Sequence, residues 1–85
     1  MEKQKIAVID LGTNTFHLLI TKYDSSYDYQ QVHRERRAVM IGKGGINEGI
    51  ISESAQLRAL EALTHFKEVI ERYDVSHVVA TATSA

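Results

Sequence analysis

A three-residue link between two apolar runs is the feature that limits the fold of this chain most strongly. Residues 5–11 (KIAVIDL) and 15–23 (TFHLLITKY) are short, rich in aliphatic residues and typical of strands. The link is Gly12, Thr13 and Asn14, which together with Thr15 form the polar stretch Gly12-Thr13-Asn14-Thr15. A parallel connection needs about a dozen residues or more, so this link predicts an antiparallel hairpin.

Beyond the hairpin, the sequence predicts a third strand, a loop and a final strand. A turn signal at 24–28 (DSSYD) precedes the third strand of the meander, over about 28–40. Four glycines in the segment 41–49 (IGKGGINEG) predict a loop. Residues 76–83 (SHVVATAT) predict the final strand.

Residues 52–72 (SESAQLRALEALTHFKEVIER) predict an amphipathic helix. Ser52 is a suitable N-cap, and Glu53 in the first turn suits the helix dipole. The apolar stripe expected to face the sheet comprises Leu57, Ala59, Leu60, Leu63, Phe66 or Lys67, Ile70 and Tyr73.

The predicted element order is β-β-β-α-β, in an α/β fold with a mixed sheet. A strand that follows a helix usually rejoins the sheet by a right-handed crossover, which leaves the helix over one sheet face. We expect residues 1–85 to form the N-terminal part of a single, larger domain, and to be incomplete on their own.

The composition excludes several classes of protein. The 85 residues are 44% hydrophobic, contain no cysteine and carry a net charge of −1. No disulfide framework or thiolate metal site can form, and there is no global field to attract nucleic acid. No apolar run approaches the roughly 18 residues of a membrane span, and the N-terminus is unlike a signal peptide. We therefore expect a cytoplasmic protein that binds neither nucleic acid nor membranes.

The residues that follow the first strand suit a phosphate site. Gly12 allows close backbone approach to a ligand, consecutive turn amides can bind an anion, and Thr13, Asn14 and Thr15 add polar groups without bulk. Asp10, which closes the strand, is placed to hold Mg²⁺ through water or to orient a water molecule. A hairpin turn of Gly and Asn formed for backbone reasons alone stays open as the alternative.

The stretch D-L-G-T-N-T-F-H-L-L-I, residues 10–20, resembles the first phosphate loop of the exopolyphosphatase and guanosine pentaphosphate phosphohydrolase family. Three further segments resemble that family in order and spacing: GKGG, G-I-I-S-E-S-A and A-T-A-T-S-A. The family belongs to the ribonuclease H-like superfamily of actin, sugar kinases and chaperone ATPases. Threonine occupies positions 13 and 15, where serine is frequent in the family, and both residues supply a hydroxyl.

The resemblance implies a hydrolase of phosphoric anhydrides. Its substrate would be inorganic polyphosphate, from which terminal phosphate is released, or guanosine pentaphosphate, which is converted to the tetraphosphate. Asp10 would organise Mg²⁺ or another divalent cation, or water, and Gly12, Thr13, Asn14 and Thr15 would bind phosphate. The catalytic glutamate, a second phosphate loop and a substrate-facing arginine would lie beyond residue 85, so we expect the 85-residue chain to be inactive by itself.

Two alternatives to this function stay open: a kinase or ATPase of the same superfamily, and a non-enzymatic module that senses phosphate compounds. A homodimer is also left open. These residues are compatible with either polyphosphate or guanosine pentaphosphate as the preferred substrate.

The other groups of basic residues, glycines and histidines are interpreted from the sequence as mainly structural. Arg34, Arg36, Arg37 and Lys43 form a basic cluster, with Glu35 partly neutralising it. We favour a solvated edge strand over the alternative, which is contact with the repeated charges of a polyphosphate chain. Gly42, Gly44, Gly45 and Gly49 are interpreted as a strand-to-helix connection, and a minor role in substrate binding stays open because the family fold implies a position beside the first loop. The histidines His17, His33, His65 and His77 lack the spacing of metal ligands.

Overall fold

Strands β1 (Gln4–Leu11) and β2 (Thr15–Tyr23) form the antiparallel hairpin that the short link predicts. The computed structural model of the chain describes residues 4–26, 28–41, 46–47 and 50–82. The remaining elements are β3 (Tyr29–Ala38), β4 (Ile46–Asn47), β5 (Ile50–Ile51), α1 (Glu53–Arg72) and β6 (His77–Ala82).

Four strands form one mixed sheet in the order β3-β2-β1-β6. The β1–β2 and β2–β3 pairs are antiparallel, whereas β6 returns through α1 to lie parallel to β1. The helix is the crossover between these two parallel strands, as the β-β-β-α-β order predicts. The predicted strands are confirmed to within a few residues at their ends.

The segment 41–49, which was predicted to be a loop, contains two residues that form a strand. Residues 46–47 pair with residues 50–51 as the small antiparallel ribbon β4–β5. Isoleucines on both sides of Asn47-Glu48-Gly49 explain this, because β-branched residues around a turn sequence favour a hairpin. Lys43 and the glycines Gly42, Gly44, Gly45 and Gly49 lie outside the described residues, so their assigned roles stay predictions.

The start of α1 confirms the predicted cap. Ser52 adopts an extended conformation, and its Oγ accepts a hydrogen bond of 3.2 Å from the Ala55 amide. Glu53 occupies the first turn and Arg72 the last, both in the sense favoured by the helix dipole. Among the described residues, no helix combines the length and apolarity needed to cross a bilayer.

The orientation of α1 corrects the predicted apolar stripe. The side chains buried against the sheet are Ala55, Ala62, Phe66 and Val69. Leu57 and Leu60, which were assigned to the stripe, are 56% and 59% exposed and lie on the opposite side of the helix. Small alanines let the helix backbone approach the sheet closely, and this outweighs the larger apolar area of the leucines. The other predicted members pack at the edge of the core: Ala59, Leu63, Ile70 and Tyr73.

One sheet face and the helix enclose the core. Every second side chain along β1 and β2 is buried: Ala7, Ile9, Phe16, Leu18 and Ile20. These side chains form one cluster with Phe66 of α1, which is the largest fully buried side chain. Val39, which follows β3, is also fully buried in this cluster. Residues at the intervening positions of the strands, including Asp10, therefore point to the sheet face that α1 does not cover.

The C-terminus of α1 supplies a stability prediction. Asp74 has φ 56°, its amide donates to the Glu71 carbonyl at 3.2 Å, and the Val75 amide donates to the Ile70 carbonyl at 3.4 Å. This is the Schellman pattern, in which glycine is the favoured residue at the left-handed position. We expect Asp74→Gly to raise the free energy of unfolding by about 0.5 kcal/mol, because glycine relieves the steric cost of positive φ.

Urea unfolding of the complete gene product measures this effect. The matched control is Glu71→Gly, which places glycine in the last helical turn. It should lower the free energy of unfolding by up to about 1 kcal/mol. Destabilisation by Asp74→Gly would contradict the capping geometry.

Candidate functional site

Four side-chain positions form a line across the uncovered face of the sheet. Asp10 in β1 is paired with His17 in β2 and with Thr81 in β6, and His17 is paired with Arg36 in β3. Residues directly opposite one another on neighbouring strands point to the same face. The row therefore reads Arg36, His17, Asp10, Thr81 across the sheet, at the strand ends nearest the hairpin turn.

Asp10 has a buried carboxylate oxygen without a hydrogen-bond partner among the described residues. Its side chain is half-buried, and its Oδ1 is fully buried with no hydrogen-bond partner among the described residues. A buried polar atom without a partner costs about 1–3 kcal/mol, and a charged one costs more. No described residue donates to this oxygen, which can therefore accept from a water molecule or a ligand donor or bind a cation.

The hairpin turn offers the complementary hydrogen-bond donors. The Gly12 amide donates to the Thr15 carbonyl at 3.2 Å and is thus used within the turn. The amides of Thr13 and Asn14 have no partner among the described residues. Gly12 therefore shapes the turn, whereas the donors that remain available to an anion belong to the two following residues.

The direction of one of these amides follows from peptide geometry. The Thr13 carbonyl accepts a hydrogen bond of 2.7 Å from the Ile41 amide. Because the Thr13 carbonyl and the Asn14 N–H belong to one planar trans peptide unit, that N–H points away from Ile41. Asn14 is exposed and Thr13 is half-buried, so a phosphate group can reach the turn.

Two arginines lie on the uncovered face beside Asp10. Arg34 is paired with Leu19 and Arg36 with His17, both on the face that bears Asp10. A cavity of about 450 Å³ is lined by Asp10, His17 and Arg34 among others, and a second of about 330 Å³ is lined by His17, Arg34 and Arg36 together with Glu35. Both arginines are exposed, and neither side chain forms an ion pair or hydrogen bond with any described residue.

Glu35 does not neutralise these arginines, contrary to the expectation from sequence. It is paired with Leu18 on the face covered by α1, and its Oε1 and Oε2 lie 3.1 and 2.9 Å from His33 Nε2 and His65 Nε2. Tyr73 Oη approaches His33 Nδ1 at 3.3 Å. Glu35 therefore ties β3 to α1 and leaves two uncompensated cations on the other face.

The Glu35 cluster predicts a dependence of stability on pH. Partial burial raises the pKa of the Glu35 carboxyl, but the hydrogen bonds from His33 and His65 and their positive charge lower it by more, so the pKa lies below its ordinary value of 4.5. A lowered folded-state pKa adds stability that is present above pH 4.5 and lost as the pH falls through the folded-state value.

We expect Glu35→Gln to lower the free energy of unfolding by about 1 kcal/mol at pH 7 and by less at pH 3.5. This is the contribution of a charge-assisted hydrogen bond, reduced because the site is partly exposed to solvent. Urea unfolding at both pH values tests this. Glu68→Gln, an exposed carboxylate change on α1, is the control and should show no such trend. A cost for Glu35→Gln that is independent of pH would contradict the prediction.

The described residues limit how a metal ion can be held. They contain no group of three or more His, Asp or Glu side chains arranged around a metal position. Asp10 is instead a single carboxylate with an unsatisfied oxygen. That donor set fits Mg²⁺, which keeps several waters and commonly uses one or two carboxylates together with substrate phosphates.

Comparison with known proteins supplies the family. The sequence signature of the Ppx/GppA phosphatase family matches residues 19–85. Exopolyphosphatase 2 of Mycobacterium tuberculosis is 34% identical over 88 residues, covering 100% of this chain and 28% of that protein. A guanosine-5'-triphosphate,3'-diphosphate pyrophosphatase of Pseudoalteromonas translucida is 32% identical over 83 residues, covering 98% of this chain and 16% of that protein. The chain thus spans less than a third of the length of these relatives.

Solved structures agree with the fold. An exopolyphosphatase from Cytophaga hutchinsonii superposes with a TM-score of 0.86 at 48% identity, over 95% of this chain and 26% of that one. A Ppx/GppA protein from Aquifex aeolicus gives a TM-score of 0.87 at 21% identity, over 95% of this chain and 26% of that one. These likenesses confirm the predicted mixed-sheet α/β fold of the actin-like class. With the family signature over most of its length, the chain belongs to the Ppx/GppA phosphatase family.

Proposed function

We propose that the chain carries the first phosphate-binding loop of a hydrolase of phosphoric anhydrides, and that its substrate is inorganic polyphosphate. The observation that carries the proposal is the pairing of an unsatisfied carboxylate oxygen on Asp10 with unsatisfied amides in the adjoining turn. A hydrated cation beside the carboxylate and a phosphate on the turn amides would satisfy both sets of groups at once.

The residues of this chain bind and orient the terminal phosphoryl group. The Thr13 and Asn14 amides, with the hydroxyls of Thr13 and Thr15, donate to non-bridging oxygens, where charge develops during in-line attack by water. Asp10 would hold Mg²⁺ through water, and the bound ion would supply positive charge to the phosphate oxygens. The general base is expected outside residues 1–85.

Arg34 and Arg36 support polyphosphate as the substrate. The charge of a polyphosphate chain repeats at every phosphate, so binding improves with each cation beside the terminal site. Neighbouring strands lie about 4.8 Å apart, so Arg36, two strands from Asp10, is about 10 Å from it along the row. Guanosine pentaphosphate is the second candidate, because a relative is named for that class of substrate.

Phosphate release from the complete gene product tests the proposal. We expect hydrolysis of long-chain polyphosphate in the presence of Mg²⁺, with slower hydrolysis of guanosine pentaphosphate. Transfer of the ATP γ-phosphate to an acceptor would favour a kinase instead. Binding of polyphosphate without turnover would favour the sensing module.

The arginine pair provides a sharper test of the substrate. We expect Arg34→Gln/Arg36→Gln to raise KM for long-chain polyphosphate about 10-fold, equivalent to about 1.4 kcal/mol for two partly screened contacts. KM for tripolyphosphate should change much less, because that molecule is too short to span the row.

The control is Arg37→Gln/Lys67→Gln, which removes the same charge from positions away from the uncovered face. Equal effects of the two double variants, or equal effects on long and short chains, would contradict the assignment of Arg34 and Arg36. Phosphate release by the wild-type protein would still stand.

A further inference from the structure

We propose that Arg58 is a positioning residue for the phosphate loop, acting through residues 39–41 without touching the substrate. This inference rests on the proposed function, because it takes the turn at Gly12–Thr15 as the phosphate cradle. Its structural part, the control of segment 39–41 by Arg58, can be tested separately.

Arg58 extends from α1 to the backbone that follows β3. Its Nε donates to the Val39 carbonyl at 2.7 Å, and one of its terminal nitrogens donates to the Met40 carbonyl at 3.2 Å. The planar guanidinium presents donors in a fixed fork, so it holds two consecutive carbonyls in one relative orientation. Lysine carries its three donors on one tetrahedral nitrogen and cannot reproduce this planar fork.

The same segment holds the hairpin turn with its amides. Val39 and Met40 donate to the Asn14 carbonyl at 2.8 and 3.0 Å, and Ile41 donates to the Thr13 carbonyl at 2.7 Å. Segment 39–41 is therefore a relay: its carbonyls are held by the helix, and its amides hold the loop. Through the planar peptide 13–14, the Ile41 bond also fixes the direction of the free Asn14 N–H.

The segment needs such support because of its backbone conformation. Met40 has φ 53°, a left-handed conformation that is unfavourable for a residue with a Cβ atom. A strained conformation persists only when its surroundings over-determine it. The fully buried Val39 side chain anchors one side of Met40, and the Arg58 fork holds the carbonyls of both residues.

Loss of the fork should disorder the relay and then the loop. The released segment can leave the left-handed conformation, and the Thr13 and Asn14 carbonyls then lose their donors. The amides that face the phosphate become less well aligned, and catalytic groups displaced by about 1 Å lose much of their effect. A purely structural Arg58 would instead only attach α1 to the sheet.

The experiment uses the complete gene product with Arg58→Met, Arg58→Lys and the control Val69→Ala. Val69 is buried on the same helix, eleven residues and so about 16 Å along the helix axis from Arg58. We expect Arg58→Met to speed amide exchange at Met40 and Ile41 at least 10-fold, with unchanged exchange at Leu18 and Ile20. It should also lower kcat/KM for polyphosphate about 10-fold, and Arg58→Lys should recover only part of this loss.

The outcomes separate the two proposals. Val69→Ala should lower the melting temperature but leave exchange at 39–41 and kcat/KM at 25 °C unchanged. An Arg58→Met variant that behaves like Val69→Ala, with a lower melting temperature only, would overturn the positioning role. If the wild type releases no phosphate from any anhydride, the proposed function fails, and the exchange measurement still decides whether Arg58 controls the segment.

Discussion

Asp10→Asn in the complete gene product is expected to lower phosphate release from polyphosphate by about 100-fold or more, with little change in thermal unfolding. Groups that stabilise transition-state charge in a preorganised site contribute effects of about this size. Asparagine preserves the shape and one acceptor oxygen, but it removes the charge that attracts Mg²⁺. The fold does not need the charge, because Oδ1 makes no hydrogen bond with any described residue.

The measurement is paired: melting temperature and phosphate release across a series of Mg²⁺ concentrations. Asp74→Asn, which changes an exposed carboxylate at the end of α1, is the control and should leave turnover unchanged. Near-normal activity of Asp10→Asn with unchanged Mg²⁺ dependence would sink the functional role of Asp10. Activity lost together with the melting transition would show that the carboxylate is structural.

Local signals in the sequence predicted the elements of this fold well. The hairpin could be predicted because a link of three residues is too short for a crossover between parallel strands. Ser52 was readable as a cap because its hydroxyl can reach an amide three residues ahead without help from the rest of the fold. Each of these features is decided within a few residues.

The face of α1 that packs against the sheet could not be predicted from local sequence. Leu57 and Leu60 outweigh Ala55 and Ala62 on any scale of hydrophobicity, yet the alanines face the sheet. The choice depends on how closely the helix approaches β1 and β2, which is a property of the packed pair. Helical spacing alone is compatible with either stripe.

The candidate site was also predictable only in its local features. The sequence pointed to Asp10 and the turn residues, but it did not indicate that the Gly12 amide is bonded to the Thr15 carbonyl within the turn. It also missed Arg58, whose contacts reach carbonyls 18 and 19 residues away in sequence. The position of Glu35 could have been predicted, because alternation along β3 places its side chain on the sheet face opposite to that of Arg34 and Arg36. The expectation that Glu35 neutralises its sequence neighbours did not take this alternation into account.

The second large effect concerns stability and tests the observed face of α1. Phe66 is fully buried between the helix and the sheet, whereas Leu60 on the same helix is 59% exposed. We expect Phe66→Ala to lower the free energy of unfolding by about 3–5 kcal/mol, because it removes a large buried side chain and leaves a cavity. Leu60→Ala should change it by no more than about 0.5 kcal/mol, since alanine also favours the helix.

Urea unfolding of both variants of the complete gene product makes the comparison direct. The two substitutions lie on one helix and both create alanine, so helix propensity contributes little to their difference. The sequence-based stripe contains both residues and predicts a substantial loss for each. The observed stripe predicts a loss for Phe66→Ala alone, because only its side chain packs against β1 and β2. Comparable losses at the two positions would contradict the observed orientation of α1 and restore the stripe that includes Leu57 and Leu60.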